Sequence, residues 1–173
     1  MRVLVALKRV PDPAQRIHLA HDQRAIDPSG VRWILNPYDE VALEQAVRWK
    51  ESGVATDVVA VTIGASADVL RTALALGADR AVLVKSAEGQ SPLGTASTLR
   101  VVVEDEKPDL VLLGTQSSDR NSAQTGAMLA GLLGWPQVTR AVRTEIAGRV
   151  LRADHVGDDG VETLEADLPC VVT

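Results

Sequence analysis

Phenylalanine is absent from the 173 residues, lysine stands at only four positions (Lys8, Lys50, Lys85 and Lys107) and there is a single cysteine. Each shortage excludes something. With aromatic residues at 2%, the core has to be packed from aliphatic side chains. The lone Cys170 can neither close an internal disulfide nor supply a thiolate cluster for a metal, the pattern of a chain kept in a reducing compartment, so a cytoplasmic protein is expected. No run of basic residues occurs and the formal charge is −5. A broad nucleic-acid-binding surface is therefore not expected, although an acidic average leaves room for a local anion pocket. Long hydrophobic runs are missing too. The longest are of strand length and broken by charge, which excludes a membrane-spanning helix, and Met1-Arg2 leads into one of them without a signal-peptide pattern.

What is present suffices for one compact core. Hydrophobic residues make up 46% of the chain and charged residues 24%, enough apolar surface to offset ordering entropy over a single domain spanning 1–173. Val3–Leu7 is a continuous aliphatic run, the mark of a strand buried on both faces of a parallel sheet. The same signature recurs at Val58–Ile63, Ala81–Val84 and Leu110–Leu113. Helical patterns lie between. Asn36-Pro37 reads as a side-chain N-cap and first helical residue, and Gly53 closes the helix. Further helices are expected from Ser66 to Leu76, from Pro92 to Glu106 and from Ala123 to Gly134. This alternation predicts right-handed crossovers and an α/β fold with an open, doubly wound parallel sheet. The tail differs: Arg143–Ile146, Val150–His155 and Val161–Ala166 alternate apolar and polar residues around Gly148 and Asp158-Asp159-Gly160, which predicts antiparallel hairpins. Another short hairpin is expected within Arg16–Ile26. The three tryptophans and Tyr38 are candidates for an interface or for simple packing.

Ligands of open α/β sheets bind beyond the carboxyl ends of the strands. The segments found there are Lys8–Pro13, Gly64-Ala65-Ser66 and the long polar stretch Gly114–Gly126. The last runs from a strand-end glycine into a helix N-terminus, where free amides and the helix dipole favour phosphate. Neither a Walker loop nor a GxGxxG fingerprint is present. Catalytic constellations are poor. His18, His21 and His155 are scattered, Ser117 and Ser118 have no placed base, and Cys170 beside Pro169 reads as core. Lys8 and Arg9 read either as salt-bridge residues or as groups facing an anionic ligand. The residues argue for a binding protein, with no catalytic or metal site assigned.

Five stretches in order then resemble the electron transfer flavoprotein beta subunit across the whole chain. They are VALKRVPDP, Ile34-Leu35-Asn36-Pro37-Tyr38-Asp39-Glu40, RTALALGADRAVLV, PDLVLLGTQSSDRNSAQTGAMLAGLLGWPQVT and GVETLEADLPCVVT. The resemblance implies a Rossmann-like, adenine nucleotide alpha-hydrolase-like fold and a heterodimer with an alpha subunit whose own domain holds the redox FAD. It implies an electron carrier that shuttles electrons from flavin dehydrogenases, such as acyl-CoA dehydrogenases, to the respiratory chain through a quinone oxidoreductase. It further implies a second nucleotide in the beta subunit, a structural AMP in many members and an additional FAD in electron-bifurcating ones; the Gln124-Thr125-Gly126 and Trp135-Pro136-Gln137 tokens favour AMP. Carried over by position, the nucleotide is surrounded by Ala6, by Asn36, Pro37, Tyr38 and Asp39, by Ile63, and by Gly114, Thr115, Gln116, Ser117, Ser118, Asp119, Arg120, Asn121, Ser122, Ala123, Gln124 and Thr125. Gly64 joins them from the strand-end argument. Ala6 and Ile63 are expected to wall the adenine, and Asn121, Ser122, Gln124 and Thr125 to hold phosphate. Three departures stand out: no aromatic near Pro13, Arg120 where the family often has an acid, and an end at Thr173 where members continue into a segment embracing the alpha subunit. Two alternatives use the same residues, a stand-alone adenine-nucleotide-binding module resembling universal stress proteins and an adenylate-forming enzyme.

Overall fold

A computed structural model describes residues 1–24, 26–86 and 89–173. The chain runs through β1 (Arg2–Ala6), the short β2 (Arg9–Pro11) and β3 (Trp33–Leu35), then α1 (Pro37–Glu51). Strict alternation follows: β4 (Asp57–Ile63), α2 (Asp68–Leu76), β5 (Arg80–Val84), α3 (Pro92–Glu106), β6 (Leu110–Leu113) and α4 (Thr125–Leu133). Next come β7 (Gln137–Val138), β8 (Ala141–Ala147), β9 (Val150–Gly157), β10 (Gly160–Asp167) and β11 (Cys170–Val172).

Six of these strands form one parallel sheet in the order β5-β4-β1-β6-β11-β7, and β10-β9-β8 form a separate antiparallel sheet. The large sheet is covered on both sides, which is why its strands read as unbroken apolar runs. On one face Leu43, Ala46 and Trp49 of α1 and Val69, Leu70 and Ala73 of α2 pack on Val3, Val5, Val58, Ala60, Leu110 and Leu112. Leu151 and Ala153 of β9 extend the same cluster. On the other face Ala96, Leu99 and Val103 of α3 and Leu129 and Ala130 of α4 meet Leu4, Ala6, Val59, Val61, Val111 and Leu113. Odd and even positions of each strand thus serve opposite layers. The expected doubly wound sheet and the three antiparallel strands are both present. Among the described residues no helix is long and apolar enough to cross a membrane.

Connectivity decides where a crevice opens. From β1 the chain builds outward through β4 to β5, then crosses back to place β6 on the other side of β1. Strand order reverses between β1 and β6, so their carboxyl ends diverge into loops of opposite direction and leave a gap.

Several boundaries depart from expectation. Among the described residues of the expected Arg16–Ile26 hairpin one bridge is present, between Leu19 and Ile26; the sustained pairing in this region joins β2 to β3, with Pro11 opposite Trp33. Pro11 has no N–H to give a ladder and suits this short two-stranded edge. α2 begins at Asp68 because the Ser66 hydroxyl accepts the Asp68 amide and occupies the preceding turn. α4 begins at Thr125 because Asn121 and Ala123 have φ of 51° and 49°, left-handed values that no right-handed helix can include. Trp49 is buried in the core, Trp135 lies against the α3–α4 side, and Trp33 carries the Arg9 guanidinium 4.4 Å from its ring centroid. Cys170 is fully buried in β11 and burial pushes its thiol up to about 12, so it packs as an apolar residue.

Candidate functional site

The gap between β1 and β6 is bridged by side chains from the start of α1. Asp39 is 6% exposed, and its carboxylate accepts the Lys8 amide at the end of β1 (2.8 Å) and the Gly114 amide at the end of β6 (3.0 Å). One carboxylate therefore ties the two strand ends at the switch point. Burial pushes the Asp39 carboxyl up to about 7, against the pull of the Lys8 and Gly114 amides, the Asn36 side chain and the Lys8 charge. Gly114 makes this approach possible. A β-carbon there would stand 2.5 Å from Asp39 Oδ1 and 2.7 Å from both the Asp39 nitrogen and the Tyr38 carbonyl carbon.

Asn36 does something other than cap its helix. Pro37 does take the first helical position, but the Asn36 side chain makes no hydrogen bond to the α1 amides. It faces the β6–α4 loop, donating from Nδ2 to the Gln116 carbonyl (2.9 Å) and accepting the Ser118 amide at Oδ1 (3.2 Å). The reason is tertiary: at 1% exposure the amide group has to satisfy both its donor and its acceptor, and the loop offers one of each. Gln116 adds a bond to the Tyr38 hydroxyl at 3.2 Å. Lys8 completes the brace, its ammonium 2.6 and 2.7 Å from the two Asp119 oxygens and 3.1 Å from the Ser117 hydroxyl. Burial works against ionisation of Asp119, but these two partners outweigh it and hold the carboxyl below its usual range.

The braced loops enclose a cavity of about 190 Å³ at the carboxyl ends of β1, β4 and β6. Its apolar lining includes Ala6, Val61, Ile63, Leu99 and Leu113, which belong to the core cluster beneath α3 and α4. Its polar lining comes from Lys8, Asn36, Asp39, Gln90 and Thr95 and from Thr115, Gln116, Ser117, Arg120, Ser122, Gln124 and Thr125 of the β6–α4 segment. α4 begins at this segment without a side-chain cap, and among the described residues no protein group accepts the amides of Ser122 through Ala127. Those donors and the positive end of the helix dipole suit a phosphate.

Of the residues singled out from the sequence, thirteen line this cavity. Pro37, Tyr38, Gly64, Ser118, Asp119 and Asn121 do not line it. Tyr38, Ser118 and Asp119 hold the loop in place, the Asn121 N–H donates to the Ser117 carbonyl (2.9 Å) and closes the turn, and the Gly64 N–H donates to the Val84 carbonyl (3.0 Å). Sequence reasoning missed Gly89, Gln90, Pro92 and Thr95, the wall supplied by the β5–α3 loop and the start of α3. The strand-end rule that selected the other loops applies equally after β5 and would have included them.

A sheet wound on both faces with a polar crevice at its switch point defines an open α/β protein of Rossmann-like architecture. Comparison with known proteins narrows this. The electron transfer flavoprotein domain matches residues 24–173. The chain is 45% identical over 179 residues to the mitochondrial electron transfer flavoprotein subunit beta of Oryza sativa subsp. japonica, covering 100% of this chain and 71% of that protein. It is 44% identical to electron transfer flavoprotein subunit beta of Homo sapiens over 179 residues and 42% identical to that of Bradyrhizobium diazoefficiens over 175, in each case covering 100% of this chain and 70% of the relative. The chain belongs to the electron transfer flavoprotein beta-subunit family.

Proposed function

We propose that the protein is an electron-carrier component whose own cavity holds AMP as a structural nucleotide and which pairs with an FAD-bearing alpha subunit. The single observation that carries the nucleotide assignment is the lining of the cavity. Its aliphatic lining, from Ala6 through Val61, Ile63 and Leu113, suits a flat base, and Ser122 to Gly126, whose amides have no acceptor among the described residues, line it beside the α4 N-terminus, which suits a phosphate. The residues present therefore fit an adenine nucleotide. Ala6 and Ile63 would hold the base, and Ser122, Gln124 and Thr125 the phosphate. The flavin of the alpha subunit, when bound, supplies the redox chemistry that passes electrons from dehydrogenases toward a quinone oxidoreductase. What this chain's residues contribute is binding and rigidity: Asp39, Asn36 and Lys8 fix the loops around the nucleotide, and no group here is asked to move a proton.

The test is direct. Protein purified as the full chain is denatured, and the released small molecules are identified by mass spectrometry beside a visible absorbance scan. Colourless protein releasing about one AMP per chain is expected. A yellow protein releasing FAD would replace AMP with a second flavin, and release of neither would overturn the nucleotide reading.

A further inference from the structure

Two cationic side chains line the cavity, and they differ in what neutralises them. Lys8 is held by both oxygens of Asp119. Arg120, on the same loop as the α4 amides, donates from Nη1 to the Gln90 carbonyl at 2.9 Å and meets no carboxylate among the described residues. A carbonyl fixes the guanidinium without cancelling its charge, and most of its five N–H donors remain for a planar, charge-assisted contact. The surroundings make that charge decisive. The chain carries a net −5, and the Lys8 charge is already matched by Asp119, so of the two cations lining the cavity Arg120 is the one whose charge is left for a phosphate.

We propose that Arg120 is a specificity-determining residue of this cavity: it recognises the phosphate of the nucleotide, separating AMP from adenosine, while its bond to Gln90 ties the β5–α3 loop to the β6–α4 loop over the bound group. This inference rests on the adenine-nucleotide reading above. The apolar lining that suits the base lies on other elements, so adenosine is held independently of Arg120. Phosphate binding is coupled to the position of Gln90 through one guanidinium.

The experiment is isothermal titration of the nucleotide-free full chain with AMP and with adenosine, for the wild type, Arg120→Met and Arg120→Lys. Arg120→Met is expected to weaken AMP by about tenfold or more while leaving adenosine within about twofold, as loss of one charge-assisted contact implies. Arg120→Lys keeps the charge and should recover part of the AMP affinity. Added salt should weaken AMP binding less in Arg120→Met than in the wild type, since screening acts on the charge removed. In hydrogen exchange, AMP should protect residues 89–95 of the wild type but not of Arg120→Met. An unchanged ratio of AMP to adenosine affinity in Arg120→Met overturns the inference while leaving the nucleotide reading intact. A wild type that binds neither compound overturns both, and a merely structural role would move AMP and adenosine together.

Discussion

Gly114→Ala should lower the unfolding free energy by about 3–5 kcal/mol, among the largest effects of any single methyl group added to this chain. The cause is space, since Gly114 does not require a left-handed backbone. Its new β-carbon would fall 2.5 Å from Asp39 Oδ1 and 2.7 Å from backbone atoms of Tyr38 and Asp39. A flexible side chain could turn away, but the first turn of α1 cannot. The end of β6 and the start of α1 must separate, which strains the Asp39 bond to the Gly114 amide and leaves a buried carboxylate with one partner fewer. Chemical denaturation and a thermal melt read the effect, with a drop in midpoint on the order of 10 °C for a chain of this size. Gly131→Ala is the matched control. Gly131 sits inside α4 with nothing within 4 Å of its added β-carbon, so it should be neutral or stabilising by about 0.5–1 kcal/mol. Equal midpoints for the two variants would remove the close approach of α1 and β6 from the account.

The main architecture was legible because burial on two faces writes itself into a strand as an unbroken aliphatic run. Val3–Leu7 and Leu110–Leu113 could hardly be anything but central strands, and β1 and β6 prove to be neighbours in the middle of the sheet. β8 to β10, packed on one side only, kept the alternating pattern that marks them. The short elements were not legible. β2, β3 and β7 have two or three residues each, too few for any period to appear, and their existence depends on partners distant in the chain. Gln137 and Val138 become a strand only because Val171 and Val172 arrive beside them.

The site was legible to the extent that it is set by topology. Strand-end loops and a polar approach to a helix identified the β6–α4 segment without reference to any partner. Its internal wiring was hidden, because Asn36 obeys two rules at once. Before a proline it looks like a cap, yet buried against Gln116 and Ser118 it gains more by satisfying two loop groups than one helix amide. Lys8 combines both of its alternatives, pairing with Asp119 while lining the cavity. Its ion pair spans 111 positions of sequence, a separation at which local pattern says nothing.

Asp39 should make stability fall as the pH rises across neutrality, opposite to the usual behaviour of a paired carboxylate. Its folded-state value is raised from 3.8 to about 7, chiefly by burial. Between those limits the folded chain keeps a proton that the unfolded chain has released, so stability declines with rising pH by at most about 1.4 kcal/mol per pH unit. Below 3.8 both states are protonated and the effect is absent; above 7 both are ionised and the cost is complete. Asp79, Glu106 and Asp119, whose carboxyls are held low by Lys50, Arg80 and Lys8, act in the opposite sense, and they cancel when wild type is compared with Asp39→Asn. Urea unfolding of that pair from about pH 4.5 to 7.5 should show the wild type losing on the order of 1–4 kcal/mol relative to the variant. Asp39→Ala instead strands the Lys8 and Gly114 amides and should cost about 2–5 kcal/mol at pH 5, a gap that narrows by pH 8. The same carboxyl group joins the strand ends and lines the cavity, so retention of the nucleotide proposed above should weaken along with stability on the alkaline side. A flat difference between wild type and Asp39→Asn across the range would mean that the two amides keep the carboxylate ionised throughout, and that hydrogen bonding rather than burial governs the floor of the site.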